Sequence, residues 1–490
     1  MSIPKGWAIS EIGSVTRVVA GGTPPSKTPA NFQALDGVPW ITPADLSGYK
    51  SMYISSGARN LSEHGYAICS AVKVPEGTVL FSSRAPIGYV AIAENEISTN
   101  QGFKNFVLPR DLESRFVYYY LRHIKPLAER MATGTTFKEL SGQAAAKLPL
   151  LIAPIAEQQR IANKLATVLA RVDSCKNKIV NVSLLIKRFR QSVLTSATSG
   201  RLTATWRLKQ SVKEDAKSVY EYLEKNLEKL QEKLRGKRIE EIVVLYNRIS
   251  YNSDSLPDGW ANCPVGMIGM VSNGSTPLRA ERNFWEGHIP WVSSGEVKNC
   301  IIHKSNECIS ELGFQSTSVR ILPVGSVLIA MIGEGKTRGQ SAILEIEATI
   351  NQNIAAVVPF ADGLIPKYLW YSFQEKYEEN RREGNGTGPQ ALNCQRVREL
   401  TLNLPPLAEQ HEIVKRIEAL FSFADRLEAR LATACTAVDR LTPALLAKAF
   451  RGELVPQDPA DEPASELLAR LAASRAAETA KPRRTRTAKA

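Results

Sequence analysis

The chain has 490 residues, 43% of them hydrophobic, and a formal net charge of +13. That suffices for about three domains at roughly 150 residues each, and no apolar run reaches the roughly 18 residues of a membrane span. The opening MSIPKGWAIS has no apolar signal core, the seven cysteines form no CxxC pair and the five histidines no ligand spacing, so a cytoplasmic protein without disulfide scaffold or zinc site is expected.

In chain order, residues 1–154 carry short β-like runs such as GTVLFSS between Gly-, Pro- and Ser-rich turns, then a helical patch at 112–130, which predicts a mixed α/β module. Residues 155–199 predict one long helix. Its apolar residues recur at alternating steps of four and three: Ile161, Leu165, Val168, Val172, Cys175, Ile179, Val182, Ile186, Phe189 and Val193. Residues 200–255 predict a helical linker in which 211–246, with Leu223, Leu227, Leu230 and Leu234 among alternating charges, reads as a solvated connector. Residues 256–406 predict a second mixed module, with GSVLIAMI and NIAAVV as strands and a helical patch at 366–382. Residues 407–452 predict a second long helix, which Pro443 is expected to kink or shorten. A short helix and the basic tail KPRRTRTAKA complete 453–490.

The second half repeats the first at an offset close to 252 residues. IAPIAEQQRIANKL at 152–165 answers LPPLAEQHEIVKRI at 404–417, PKGW at 4–7 answers PDGW at 257–260, and GGTP at 21–24 answers GSTP at 274–277. Shifting the apolar seam by 252 gives Ile413, Ile417, Leu420, Ala424, Leu427, Leu431, Ala434, Val438, Leu441 and Leu445, again without a miss. Such a heptad seam buries itself against another helix, and over 33 residues it is about 50 Å long. Two helices of one chain pairing antiparallel would act as a rod with one variable module at each end. Leu169, Leu184 and Leu185 lie off the seam and are candidates for docking a partner.

No catalytic motif stands in either module. AMIGEGKTRG at 330–339 offers Gly335-Lys336-Thr337, but a phosphate-binding loop needs a glycine at 330, where Ala stands, and the sister stretch FSSRAPIGYV lacks the motif. What both modules offer suits nucleic acid. Gly22, Thr23 and Thr276 sit in turns that free backbone N–H groups for phosphates. Arg84, Arg279, Arg282, Lys336 and Arg338 are loop cations. The amide pairs Asn100-Gln101 and Asn351-Gln352 have the bidentate chemistry of adenine readout, although their recurrence in both copies slightly favours a structural role. The alternative class is a two-domain coiled-coil adaptor that binds proteins and no DNA.

The doubled pattern, GGTP…VPWITPADL and GSTP…IPWVSSGEV leading to IAPIAEQQRI and LPPLAEQHEI with helices ending SGRL and RGELVPQDP, resembles the DNA-specificity subunit of type I restriction–modification enzymes over nearly the whole chain. IAP at 152–154 departs from the family's LPP, and the tail at 481–490 has no counterpart. The resemblance implies an α+β fold with two target-recognition domains in tandem separated by two antiparallel coiled-coil helices. It implies a non-catalytic subunit that reads one half of a bipartite double-stranded DNA target per domain. Two adenine-N6 methyltransferase subunits and ATP-dependent restriction subunits are its implied partners. AdoMet, ATP and Mg²⁺ then belong to those partners and no cofactor to this chain.

Overall fold

The computed structural model describes residues 3–480 except 34–35, 85, 135–137, 210–214, 234, 252–255, 334–335, 361–362, 383–384, 387 and 390–391. Gly335 and the basic tail at 481–490 lie outside the described residues. The chain forms two compact units, Met1–Val180 with Ala432–Ala490, and Asn181–Leu431.

The first unit holds a five-stranded sheet in the order Arg17–Ala20, Phe103–Val107, Val79–Ser82, Val90–Ala93, Tyr53–Ile54. Its neighbours are antiparallel except the last pair. Val79–Ser82 and Phe103–Phe106 are buried throughout, because both faces of the sheet are covered; Val79-Leu80-Phe81 therefore reads as an apolar run, while the second strand buries Lys104 and Asn105 between its phenylalanines. Phe32–Gln33, Arg59–Leu61, Val38–Ile41 and Ser98–Thr99 form a smaller sheet. A ladder of Ala8–Glu11 with Pro149–Ile152 ties the module's start to the residues that precede the long helix.

The second unit repeats this topology with different side chains. Its main sheet runs Gly269–Asn273, Ile354–Pro359, Val327–Ala330, Ser341–Leu344, Cys300–Ile302, again with only the last pair parallel. A smaller sheet joins Glu307–Ile309, Ile289–Val292 and Thr349–Ile350, and Ala261–Pro264 pairs with Thr401–Leu404 ahead of the second helix.

The long helices are Ile155–Thr198 and Leu407–Ala449, of 44 and 43 residues, each about 65 Å long. In the first unit Ile161, Leu165 and Val172 are buried, Val168 and Ile179 partly so, against a segment of the second helix that buries Leu446 and Ala449. Lys176 Nζ reaches Asp439 at 3.0 Å, so the two segments run antiparallel. In the second unit Ile186 and Val193 are buried with Ile413, Ile417 and Ala424, while Leu420, Leu427 and Leu431 are partly covered. Arg190 bridges Asp425 at 2.5 Å and Glu428 at 3.2 Å, and Arg416 donates to the Leu202 carbonyl at 2.8 Å, which makes these segments antiparallel too.

Three expectations are corrected. The first is the closed seam: Val182 and Phe189 are exposed at 40% and 36%. Leu441 is 43% exposed: the register of the Lys176–Asp439 pair sets it opposite Ser174 and Cys175, whose side chains are too small to cover a leucine. Pro443 stands inside its helix, which runs on to Ala449 and is one residue shorter than the first. The carbonyl that it leaves without a donor belongs to exposed Asp439, where water serves, and buried Leu446, Ala449 and Phe450 hold the last turn. Leu169 is 7% exposed and packs into the first unit's core, so of the off-seam leucines only Leu184 and Leu185, at 50% and 59%, remain free.

The connector is the third. Its helices Asp215–Lys233 and Lys237–Tyr246 pack on the second unit, where Val219, Leu223 and Leu230 are buried and Asn226 donates to the Met267 carbonyl at 3.1 Å. Tyr222 lies over Gly363, where a Cβ would come within 2.2 Å of its ring. The chain after the second helix does the same in the first unit: Ala464, Leu467 and Leu471 of helix Ala464–Ala480 are buried, and the Ala464 N–H donates to the Gly6 carbonyl at 2.9 Å.

Candidate nucleic-acid interface

The repeated Ala-Glu-Gln is a joint between module and helix. In the first unit Trp7 Nε1 donates to buried Glu157 at 3.0 Å. Gln158 accepts from the Glu113 N–H at 3.0 Å and donates to the Ala153 carbonyl at 2.8 Å. The second unit has the same joint. Trp260 Nε1 donates to Glu409 at 2.8 Å, and Gln410 accepts from the Ile365 N–H at 2.8 Å and donates to the Pro405 carbonyl at 2.9 Å. Each long helix thus leaves its module at an angle fixed by buried hydrogen bonds, which sliding apolar contacts alone would not specify.

The joints differ in their third partner. Glu409 also accepts from Thr203 at 2.6 Å and pairs with Arg207, which lies 5.8 Å from the Trp260 ring centre. Glu157 is bonded to no cation, since nearby Arg160 pairs with Asp461, its Oε1 is poorly satisfied, and burial raises its pKa against the opposing effects of Trp7, Arg160 and Gln457. A raised carboxyl pKa means that the folded state binds the proton more tightly, so stability falls as pH rises from the ordinary carboxylate range through the raised value. Glu157→Gln is therefore expected to stabilise the first unit at pH 7, with the gain vanishing below about pH 4 where the wild-type carboxyl is itself protonated. Thermal melts of wild type and variant across that range check it; a destabilised variant at pH 7 would contradict it.

Above the joints, each module builds the same rim. Trp40 Nε1 donates to the Gly22 carbonyl and Trp291 Nε1 to the Ser275 carbonyl, both at 3.0 Å. Thr23 donates to Gln101 and Thr276 to Gln352 across the rim. Asn100 and Asn351 are turn-formers, their side-chain oxygens accepting from the N–H groups of Gly102 at 2.9 Å and Asn353 at 3.1 Å. That use gives both a structural role, while Gln101 and Gln352 are exposed. Gly22 is walled in, since a Cβ there would lie 2.2 Å from the Ala71 nitrogen.

The predicted cations divide in the same way. Arg84 lies 3.8 Å from Glu139, which is also 3.7 Å from Lys104, a lysine whose pKa burial lowers. Arg338 donates to the Arg381 carbonyl at 2.9 Å and is half-buried. Arg279, Arg282 and Lys336 are exposed. Arg279 pairs with Glu307 and stacks 3.7 Å from the Trp285 ring centre, above Trp291. Its hydrogen bond to Glu307 raises the guanidinium pKa and lowers that of the carboxyl.

Sequence reasoning missed the matching cation of the first module. Exposed Arg59 lies 4.4 Å over Phe32, whose ring centre is 5.6 Å from that of Trp40, just as Trp285 and Trp291 are 5.0 Å apart. The only signal for it was an arginine in a three-residue strand. Both modules therefore present a cation on an aromatic plate beside a Thr–Gln rim, Arg59 from a strand and Arg279 from a turn, with different neighbours. Stacking holds each guanidinium in place, and Glu307 further fixes that of Arg279 by accepting from both of its terminal nitrogens.

Among the described residues no group of three His, Cys, Asp or Glu could hold a metal ion, and no helix is long and apolar enough to cross a membrane. The Type I restriction modification DNA specificity domain matches residues 4–183 and again 257–434. The chain is 27% identical to the EcoBI specificity subunit of Escherichia coli, covering 97% of this chain and 94% of that protein, and 28% identical to the MjaIX specificity subunit of Methanocaldococcus jannaschii over 72% and 73%. The fold is similar to that of the HsdS subunit from Thermoanaerobacter tengcongensis, at 18% identity with a TM-score of 0.54, covering 92% of this chain and 98% of that one.

Proposed function

The chain belongs to the type I restriction–modification DNA specificity family, and from that premise we propose that it reads a bipartite DNA target, one half per module. It is a DNA-recognition subunit that assembles with other subunits, and catalysis lies in those partners. The observation that carries the bipartite reading is the doubled module: the same main-sheet order and a matching Trp–Glu joint in each unit, under rims of one plan that carry different cations and aromatic neighbours. Two copies that bound one common ligand would keep the cation and its neighbours alike as well.

In this reading Arg59 and Gln101 face the first half-site, and Arg279, Arg282, Lys336 and Gln352 face the second. Thr23 and Thr276 hold the glutamines in place. Gly22, Arg84, Asn100, Arg338 and Asn351 shape the surface from beneath. The boundaries that follow are 1–154 and 256–406 for the recognition modules, with 155–199 and 407–452 as helices that set the distance between the half-sites. Two adenine-N6 methyltransferase subunits are the expected partners, with exposed Leu184 and Leu185 on the helix available to them, and ATP-dependent restriction subunits join to give cleavage. AdoMet, ATP and Mg²⁺ are theirs, and the assembly works in the cytoplasm.

The test is a map of N6-methyladenine in cells that express the chain with its methyltransferase. Arg59→Ala is expected to relax only one half of the methylated motif and Arg279→Ala only the other, each by about 1–3 kcal/mol of discrimination at a base that it reads. Loss that spreads evenly over both halves from either variant would contradict one half-site per module.

A further inference from the structure

The paired helices of the first unit have two unlike flanks. Segments 155–180 and 432–449 carry seven cations against three acids. Of the acids, Glu157 is buried in the joint and Asp439 is held by Lys176. One step after each seam position come Asp173 and Lys176 on one segment and Asp439 on the other. The Lys176–Asp439 pair shows that residues with the same offset share a flank. One step before the seam come Arg160, Lys164, Thr167, Arg171, Ser174 and Lys178, and on the partner segment Thr433, Ala437 and Arg440. Arg160 is taken by Asp461. Lys164, Arg171, Lys178 and Arg440 are exposed, and this flank has no acid.

Lys164, Arg171 and Lys178 recur every seven residues, about 10.5 Å apart on one line. Like charges in a row add nothing to folding, and the opposite flank carries two acids against one cation. Thr167, Ser174, Thr433 and Ala437 between them are small, and no large apolar residue stands on this flank, as the core of a protein interface would require. We infer that this flank runs along the DNA backbone and neutralises phosphates of the unread gap between the half-sites without reading bases. The inference rests on the specificity-subunit reading above. It is confined to the first unit, because the corresponding flank of the second mixes Arg188, Arg426 and Arg430 with exposed Leu185 and Phe423.

The test uses the chain in complex with its methyltransferase subunit on duplexes that carry the mapped motif. The quadruple variant K164Q/R171Q/K178Q/R440Q should assemble normally and keep the motif. Its dependence of log affinity on log salt should be shallower by roughly three to four, close to one per cation. Independently of any variant, methylphosphonate linkages placed only in the gap should weaken wild-type binding and leave the variant's binding almost unaffected. An unchanged salt slope and indifference to the neutral gap would overturn the inference. So would failed assembly with an unchanged slope, which would give the flank to an acidic protein partner. A wild-type complex with no salt-dependent DNA affinity would instead overturn the specificity-subunit reading itself.

Discussion

Deleting residues 176–182 together with 428–434 shortens the gap between the two methylated half-sites by about three base pairs. Each deletion removes one heptad, so the apolar steps of four and three continue across the cut and the seam stays in register. Seven residues shorten a helix by about 10.5 Å, the rise of about three base pairs of duplex DNA. The deletion removes the Lys176–Asp439 bridge, but surface ion pairs stabilise by no more than about 1 kcal/mol, so the pairing of the helices survives. Both half-sites should keep their sequences, because each joint lies well outside the deleted stretches. Deleting four residues per helix should instead break the seam and abolish recognition. An unchanged gap with intact methylation would remove the helices from any role in spacing.

Glu409→Ala destabilises the second unit by about 3–5 kcal/mol, because Arg207, 17% exposed, is left without its carboxylate in a site shared with buried Trp260 and Thr203. The same change at Glu157 costs less: no cation is stranded there, and the carboxylate already carries a poorly satisfied oxygen. Denaturant unfolding of the two variants checks the ordering, and equal losses would contradict it. Recognition of the half-site read by the second module should fail before the other as temperature rises. Arg207 belongs to the segment that follows the first helix, so this ion pair fastens the connector as well as the module.

The long helices were legible because a seam of ten positions, found twice, leaves few alternatives; so were the modules' strands, whose apolar runs are buried on both faces. The connector was misread because alternating Glu and Lys surround Leu223 and Leu230, while the surface that covers them, around Met267 and Gly363, exists only once the second module has folded. Leu441 failed for a related reason: a seam position is buried only if the residue opposite is large enough, and register is a property of the pair. Trp7 and Glu157 were each marked by the repeat, yet nothing in one dimension says that they bond. Asn100 and Arg59 show the limit most plainly. An amide that looked like a base reader closes a turn, and an unremarked arginine stands over an aromatic plate.

The most direct test of the central claim is the map of N6-methyladenine across the genome of cells that co-express the wild-type chain with its methyltransferase. Two short constant halves around a gap of fixed length are predicted. A continuous motif, or an assembled complex that methylates nothing, would contradict the assignment of one half-site to each module.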